Sequence, residues 1–93
     1  MNKPKNNSDK PKINSEELRK QMRAHGDTNE DLARALDIHS STVISRKISN
    51  WRDFRFSYTE MLVMIARYNL SKDDANKIFG ELMSYYEKNY KYC

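Results

Sequence analysis

The chain has 93 residues, of which 38% are apolar and 11% aromatic, enough for one domain with one modest core. Two Gly and two Pro are too few for a fold of many tight turns, which disfavours an all-β architecture. The net charge of +4 is unevenly spread: residues 1–14 carry four Lys against one Asp and residues 40–55 four basic side chains against one acid, whereas residues 15–39 are net acidic and residues 56–93 balanced.

Residues 1–14 hold one apolar residue beyond Met1, Ile13, and are otherwise Lys, Asn, Pro, Ser and Asp. Such a segment buries too little surface to offset its ordering entropy, so a disordered basic arm is expected, either lying along phosphates or acting as a solubilising leader. Ser15 is a good N-cap for a first helix over residues 15–25, with Leu18 and Met22 on one face and Gly26 as its stop. Thr28 caps a second helix over residues 29–36, with Asp31 near its positive end and Leu32, Ala33 and Leu36 inward. After a break at residues 37–39, Ser40 or Ser41 caps a third helix over residues 41–49. Ile44, Ile48 and Trp51 fall at helical spacing there, flanked by Val43. Residues 50–56 read as an irregular loop. Ser57 then caps a fourth helix over residues 58–68, with Met61, Leu62, Ile65 and Ala66 inward. Ser71 caps a fifth helix that reaches Phe79 and continues past Gly80 towards Tyr90.

Residues 28–50 are the informative stretch. They describe two short helices joined by a short turn, with Ile38 placed to cover the angle and Ala33 small enough for a close crossing. This is the arrangement in which one helix braces a second in a DNA major groove. The third helix offers Ser40, Ser41, Thr42, Ser45, Arg46 and Ser49 without a carboxylate. Short hydroxyls approach base edges or phosphates closely, and an arginine can bond guanine O6 and N7 together.

The same residues resemble a known family. Residues 28–33, TNEDLA, match the T-x-x-x-L-A opening of Cro and repressor type helix-turn-helix domains. Thr42, Ile44, Ser45, Arg46, Lys47 and Ile48 look like their recognition-helix motif, and residues 56–61 look like the start of their fourth helix. Residues 69–79 resemble the fifth helix of small Cro-like proteins from phages of Gram-positive bacteria. The family usually carries Gly where this chain has Asp37, has one residue fewer between Ile38 and Ser45, and has a shorter, Gly-containing turn in place of residues 50–55.

The resemblance implies an all-α, five-helix lambda-repressor-like domain over residues 15–79, preceded by the arm and followed by a helical extension over residues 80–93. It implies a transcriptional regulator that occupies double-stranded operator DNA, often as a homodimer. Carried over, Ser41, Thr42, Ser45 and Arg46 face bases. Asn29, Ser40, Lys47, Asn50, Arg52 and Arg55 contact the backbone, with Asn29 helped by the helix N-terminus. Leu82, Met83, Tyr86 and Tyr90 share one helical stripe and are expected at a dimer interface rather than packed on their own domain. Trp51 and Phe54 read as core or loop plugs rather than base-stacking platforms.

Other chemistry finds no footing in the sequence. His25 and His39 lie 14 residues apart without a metal-ligand constellation. No Gly-rich phosphate loop and no nucleophile–base arrangement is present, so neither enzyme, cofactor nor small-molecule substrate is expected. The one cysteine, Cys93, permits no intrachain disulfide. No apolar run approaches the ~18 residues of a membrane span, and the start lacks a signal-peptide core. A cytoplasmic protein without a membrane partner is expected. The rival readings are a co-repressor or antirepressor that binds another phage regulator, and an antitoxin whose C-terminal segment caps a toxin.

Overall fold

The computed structural model describes residues 10–90, with the backbone alone at Tyr90. Five α-helices make up the described chain: α1 (Ser15–Ala24), α2 (Asn29–Ala35), α3 (Ser41–Ile48), α4 (Tyr58–Arg67) and α5 (Lys72–Tyr90). No strand occurs among the described residues, and none of their helices is long and apolar enough to cross a membrane. Residues 1–9 of the expected arm and the Tyr90 side chain lie outside the described parts.

Each helix opens on a side-chain oxygen that accepts a backbone N–H from its first turn. Asn14, Thr28, Ser40, Ser57 and Ser71 fill this role. The cap of α1 is therefore Asn14 and not the expected Ser15, whose hydroxyl instead donates to the carbonyl of Ile48. Thr28 with Asp31, and Ser57 with Glu60, form reciprocal capping boxes.

The first four helices close alike. Gly26, Asp37, Asn50 and Asn69, each following a helix's C-cap, have φ between 50° and 66°. In each case the next residue's N–H bonds back five residues: Asp27 to Met22, Ile38 to Ala33, Trp51 to Arg46 and Leu70 to Ile65, at 2.8–3.0 Å. This is the Schellman termination, which needs one left-handed residue. Asp37 adopts that conformation where the resembling family usually has Gly.

The core joins Leu18 and Met22 of α1, Leu32 and Ala33 of α2, Ile44 and Ile48 of α3, Met61 and Met64 of α4, and Ile78, Phe79, Leu82 and Tyr86 of α5. Phe56 from the α3–α4 loop is fully buried among them. Each large apolar side chain so buried contributes about 1.5–3 kcal/mol.

Four expectations change. Residues 11–14, assigned to the disordered arm, form an ordered strap. Ile13 is buried, and the Asn14 N–H donates to the Ile78 carbonyl at 2.9 Å. In α4 the buried row is Met61, Met64 and Tyr68, while Leu62 is 46% exposed and Ala66 also faces out. That helix is apolar nearly all round, so its composition does not choose a face. Trp51 is 40% exposed, because the backbone reverses at Asn50 before the helical spacing reaches it.

The dimer stripe is the fourth. Leu82 is fully buried in its own domain, and the Tyr86 hydroxyl donates to the Phe56 carbonyl at 2.8 Å in a buried bond. Met83 is half-buried against the same core. Helix α5 thus covers its own chain with Leu82, Met83 and Tyr86, three of the residues expected to face a second copy.

A polar cluster ties the α1–α2 turn to the end of α4. Asp27 accepts two bonds from the Arg67 guanidinium, both at 2.7 Å, and one from the Tyr68 hydroxyl at 2.5 Å. The hydrogen bond from Arg67, aided by Tyr68, holds the Asp27 carboxyl below its ordinary 3.8 despite partial desolvation. A lowered carboxyl pKa stabilises the fold above its unfolded value, and that stability is lost as pH falls through the folded value. Asp27→Asn should unfold more easily than the parent at neutral pH, and the gap should narrow as pH falls below the ordinary carboxylate value of about 4. Thermal melts at falling pH will measure it; a gap independent of pH would remove the electrostatic account.

Candidate functional site

Helix α3 is oriented by Ile44 and Ile48, both buried against the core. A helix that buries positions 44 and 48 turns positions 42, 45, 46 and 49 outward. Thr42, Ser45, Arg46 and Ser49 are all exposed, and Ser41 half so. Ser40 is taken up with capping, its hydroxyl accepting the Val43 N–H at 3.3 Å. Ser49 turns its hydroxyl back to the carbonyls of Ser45 and Arg46, at 2.9 and 3.3 Å. The base-facing residues expected from the sequence therefore lie together on one open face. Helix α2 packs against α3, the buried Leu32 and Ala33 facing it across a turn at residues 36–40.

The loop after α3 adds what sequence reasoning missed. Trp51 lies against the guanidiniums of both Arg46 and Arg52, whose central carbons are 4.4 and 4.3 Å from its ring centroid. Phe54 joins them, its ring 5.7 Å from Trp51 and 5.6 Å from the Arg46 guanidinium. Among the described residues, neither arginine has a carboxylate within ion-pairing distance. Trp51 is thus neither a core plug nor a free stacking platform, but a surface for two cations. A usable signal was present in the sequence. A helix closed by Asn50 places the next residue over the position five earlier, which pairs Trp51 with Arg46.

The other cations expected at a DNA backbone have partners within the chain. The Lys47 ammonium bonds both oxygens of Glu60 at 2.9 and 3.2 Å, in a pair largely screened from solvent. Asn50 accepts the Ile13 N–H at 2.9 Å and donates to the Ile13 carbonyl at 3.0 Å and to Ser15 Oγ at 3.1 Å. It acts as a backbone mimic that holds the strap. Arg55 is 8% exposed and donates to the carbonyls of Pro11, Arg52 and Phe54 at 2.7–3.1 Å. Its charge is spent on backbone acceptors, and desolvation draws its pKa below the ordinary arginine value. Asn29 is half-buried at the start of α2, whose first turn holds Glu30 and Asp31. Those carboxylates oppose a phosphate there.

No group of three potential metal ligands occurs among the described residues. His25 has its Nδ1 3.0 Å from the Gln21 carbonyl and its ring 5.2 Å from that of Tyr68, in keeping with a helix-end role.

The net +3 stretch over residues 40–55 therefore divides into exposed Arg46 and Arg52 and internally paired Lys47 and Arg55. Charge-assisted hydrogen bonds contribute roughly 1.5–3 kcal/mol each, so Arg55→Ala should lower unfolding stability by at least about 2 kcal/mol. Arg52→Ala should change it by less than about 1 kcal/mol. Urea denaturation of both variants checks this; equal losses would contradict the division. No protein-family model, curated protein or solved structure matches this chain, so its function is read from the site itself.

Proposed function

We propose that this protein is a sequence-specific, DNA-binding transcriptional regulator of the helix-turn-helix type, with α2 bracing α3 and α3 entering the major groove of double-stranded operator DNA. One observation carries the reading. The exposed face of α3 presents Thr42, Ser45 and Arg46 without a carboxylate, and Arg52 extends it with a second guanidinium beside the first. Hydroxyls at that spacing meet base edges or phosphates, and Arg46 has the donor fork for guanine O6 and N7. A solvated face of ordinary composition mixes in acids. Here Glu60, the acid that bonds a residue of α3, reaches Lys47 rather than the outward residues. The regulator acts by occupying a promoter and excluding polymerase, or by competing for a shared site.

Two features of the fold support this use. The α2–α3 pair is closed by the buried Leu32, Ala33, Ile44 and Ile48, so α3 is presented as a rigid element. The loop behind it is anchored by Asn50 and Arg55 to the strap, which keeps Arg52 close to α3.

Footprinting the purified protein on DNA upstream of its own gene, with Arg46→Ala beside it, tests the reading. A protected stretch is expected for the parent and a lost or much weakened one for the variant, with the helical circular dichroism unchanged. Two protected half-sites about 34 Å apart would report a two-fold pair of copies. Affinity should fall steeply between ~50 and ~200 mM salt as phosphate counterions are released. A flat salt response, or capture of another regulator without any shift of promoter DNA, would refute it.

A further inference from the structure

We infer that Trp51 is the positioning residue of this interface: by stacking both Arg46 and Arg52 it presets two guanidiniums for one DNA duplex, Arg46 towards a base edge and Arg52 towards the adjoining phosphate. The inference rests on the DNA-reading proposal and adds a residue that touches neither base nor phosphate itself.

The first ground is how the stack is made. The Schellman closure sets the second residue after a helix's C-cap against the residue five positions earlier, and this contact is usually apolar. At the closures of α2 and α4 these two positions hold apolar residues, Ile38 with Ala33 and Leu70 with Ile65. At the end of α3 the same two positions hold Trp51 and Arg46, and the guanidinium lies 4.4 Å from the ring centroid. A helix closure has become a seat for a cation.

The second ground is independent. Arg52 has φ 53°, a left-handed conformation that a glycine would adopt without a Cβ clash. The chain keeps an arginine there, and its guanidinium reaches the same ring at 4.3 Å. The Phe54 N–H bonds the Trp51 carbonyl at 2.9 Å and closes a turn around Arg52. Local strain is thus held at a position whose side chain joins the cluster.

Stacking engages the π-face of a guanidinium and leaves its N–H edge free for acceptors. A free arginine loses much rotamer freedom when it docks; one already resting on a ring loses less. Two positive charges gathered on one indole repel each other, and an anionic ligand relieves that repulsion. Strongest binding therefore follows when both arginines are engaged together.

The test begins with selection of a preferred duplex from a random DNA library by the full chain, with a scrambled duplex of equal length as control. Trp51→Ala should lose about tenfold affinity for the selected duplex and less than about twofold for the scrambled one, with Trp51→Phe recovering much of the loss. In an Arg46→Ala background, Trp51→Ala should cost less than it does alone, since only Arg52 is then left to position. Arg52→Gly should melt at the same temperature or higher, yet bind less tightly. Melting curves of all variants confirm that they fold. Wild-type affinity in Trp51→Ala, or additive losses in the double variant, would overturn the positioning role while DNA reading stood, additivity marking a direct contact by Trp51. Failure to enrich any sequence would overturn both.

Discussion

Four helices of this chain must stop so that the next can begin, and the way they stop decides where everything else goes. Each places one residue in the left-handed conformation just past its C-cap. The chain then reverses, and the last carbonyls of the helix find N–H partners in the two residues that follow. Gly26 does this without steric cost. Asp37, Asn50 and Asn69 accept the conformation with short polar side chains, which tolerate it better than other non-glycine residues. The reversal at Asp37 sets α3 across α2, and the reversal at Asn50 folds Trp51 back over Arg46.

Asn50 does a second task with the same side chain. While its backbone ends α3, its amide pairs with both backbone groups of Ile13 and with Ser15. Together with Arg55 on the Pro11 carbonyl, it fastens the N-terminal strap behind the α3–α4 loop. That anchoring separates the cations by role. Arg55 and Lys47 hold the loop and the start of α4 in place, whereas Arg46 and Arg52 remain exposed. A charge total over this stretch treats all four alike, yet two of them already have acceptors or a carboxylate within the chain.

Helix α5 completes the core instead of offering it to a partner. Leu82 and Tyr86 reach the centre of the domain, and the Tyr86 hydroxyl satisfies the Phe56 carbonyl in the loop that follows Trp51, Arg52 and Arg55. Tyr58 packs edge-on against Tyr86 and bonds Glu87 through its hydroxyl, so the far half of α5 is tied to the start of α4. The loop carrying the two exposed arginines is therefore held at both sides, by the strap and by α5. Leu62 and Val63 of α4 are left on the surface, away from the buried row.

Much of this was legible along the chain, because it depends on neighbours within one turn. Thr28 with Asp31, Ser57 with Glu60, and the apolar pairs Leu18–Met22 and Ile44–Ile48 act over three or four residues, so the sequence alone determined five helices and the outward face of α3. What it could not decide rests on partners far away in the chain. Ile13 is buried and Asn14 caps α1 because Asn50 and Ile78 hold the strap from 37 and 64 residues distant. Arg55 is internal and Lys47 paired because Pro11 and Glu60 meet them in space. The tertiary structure alone chose which face of α4 to bury and turned Leu82 and Tyr86 of α5 inward. An apolar or charged side chain records its appetite for a partner in the sequence, whereas the partner's arrival depends on how the helices cross.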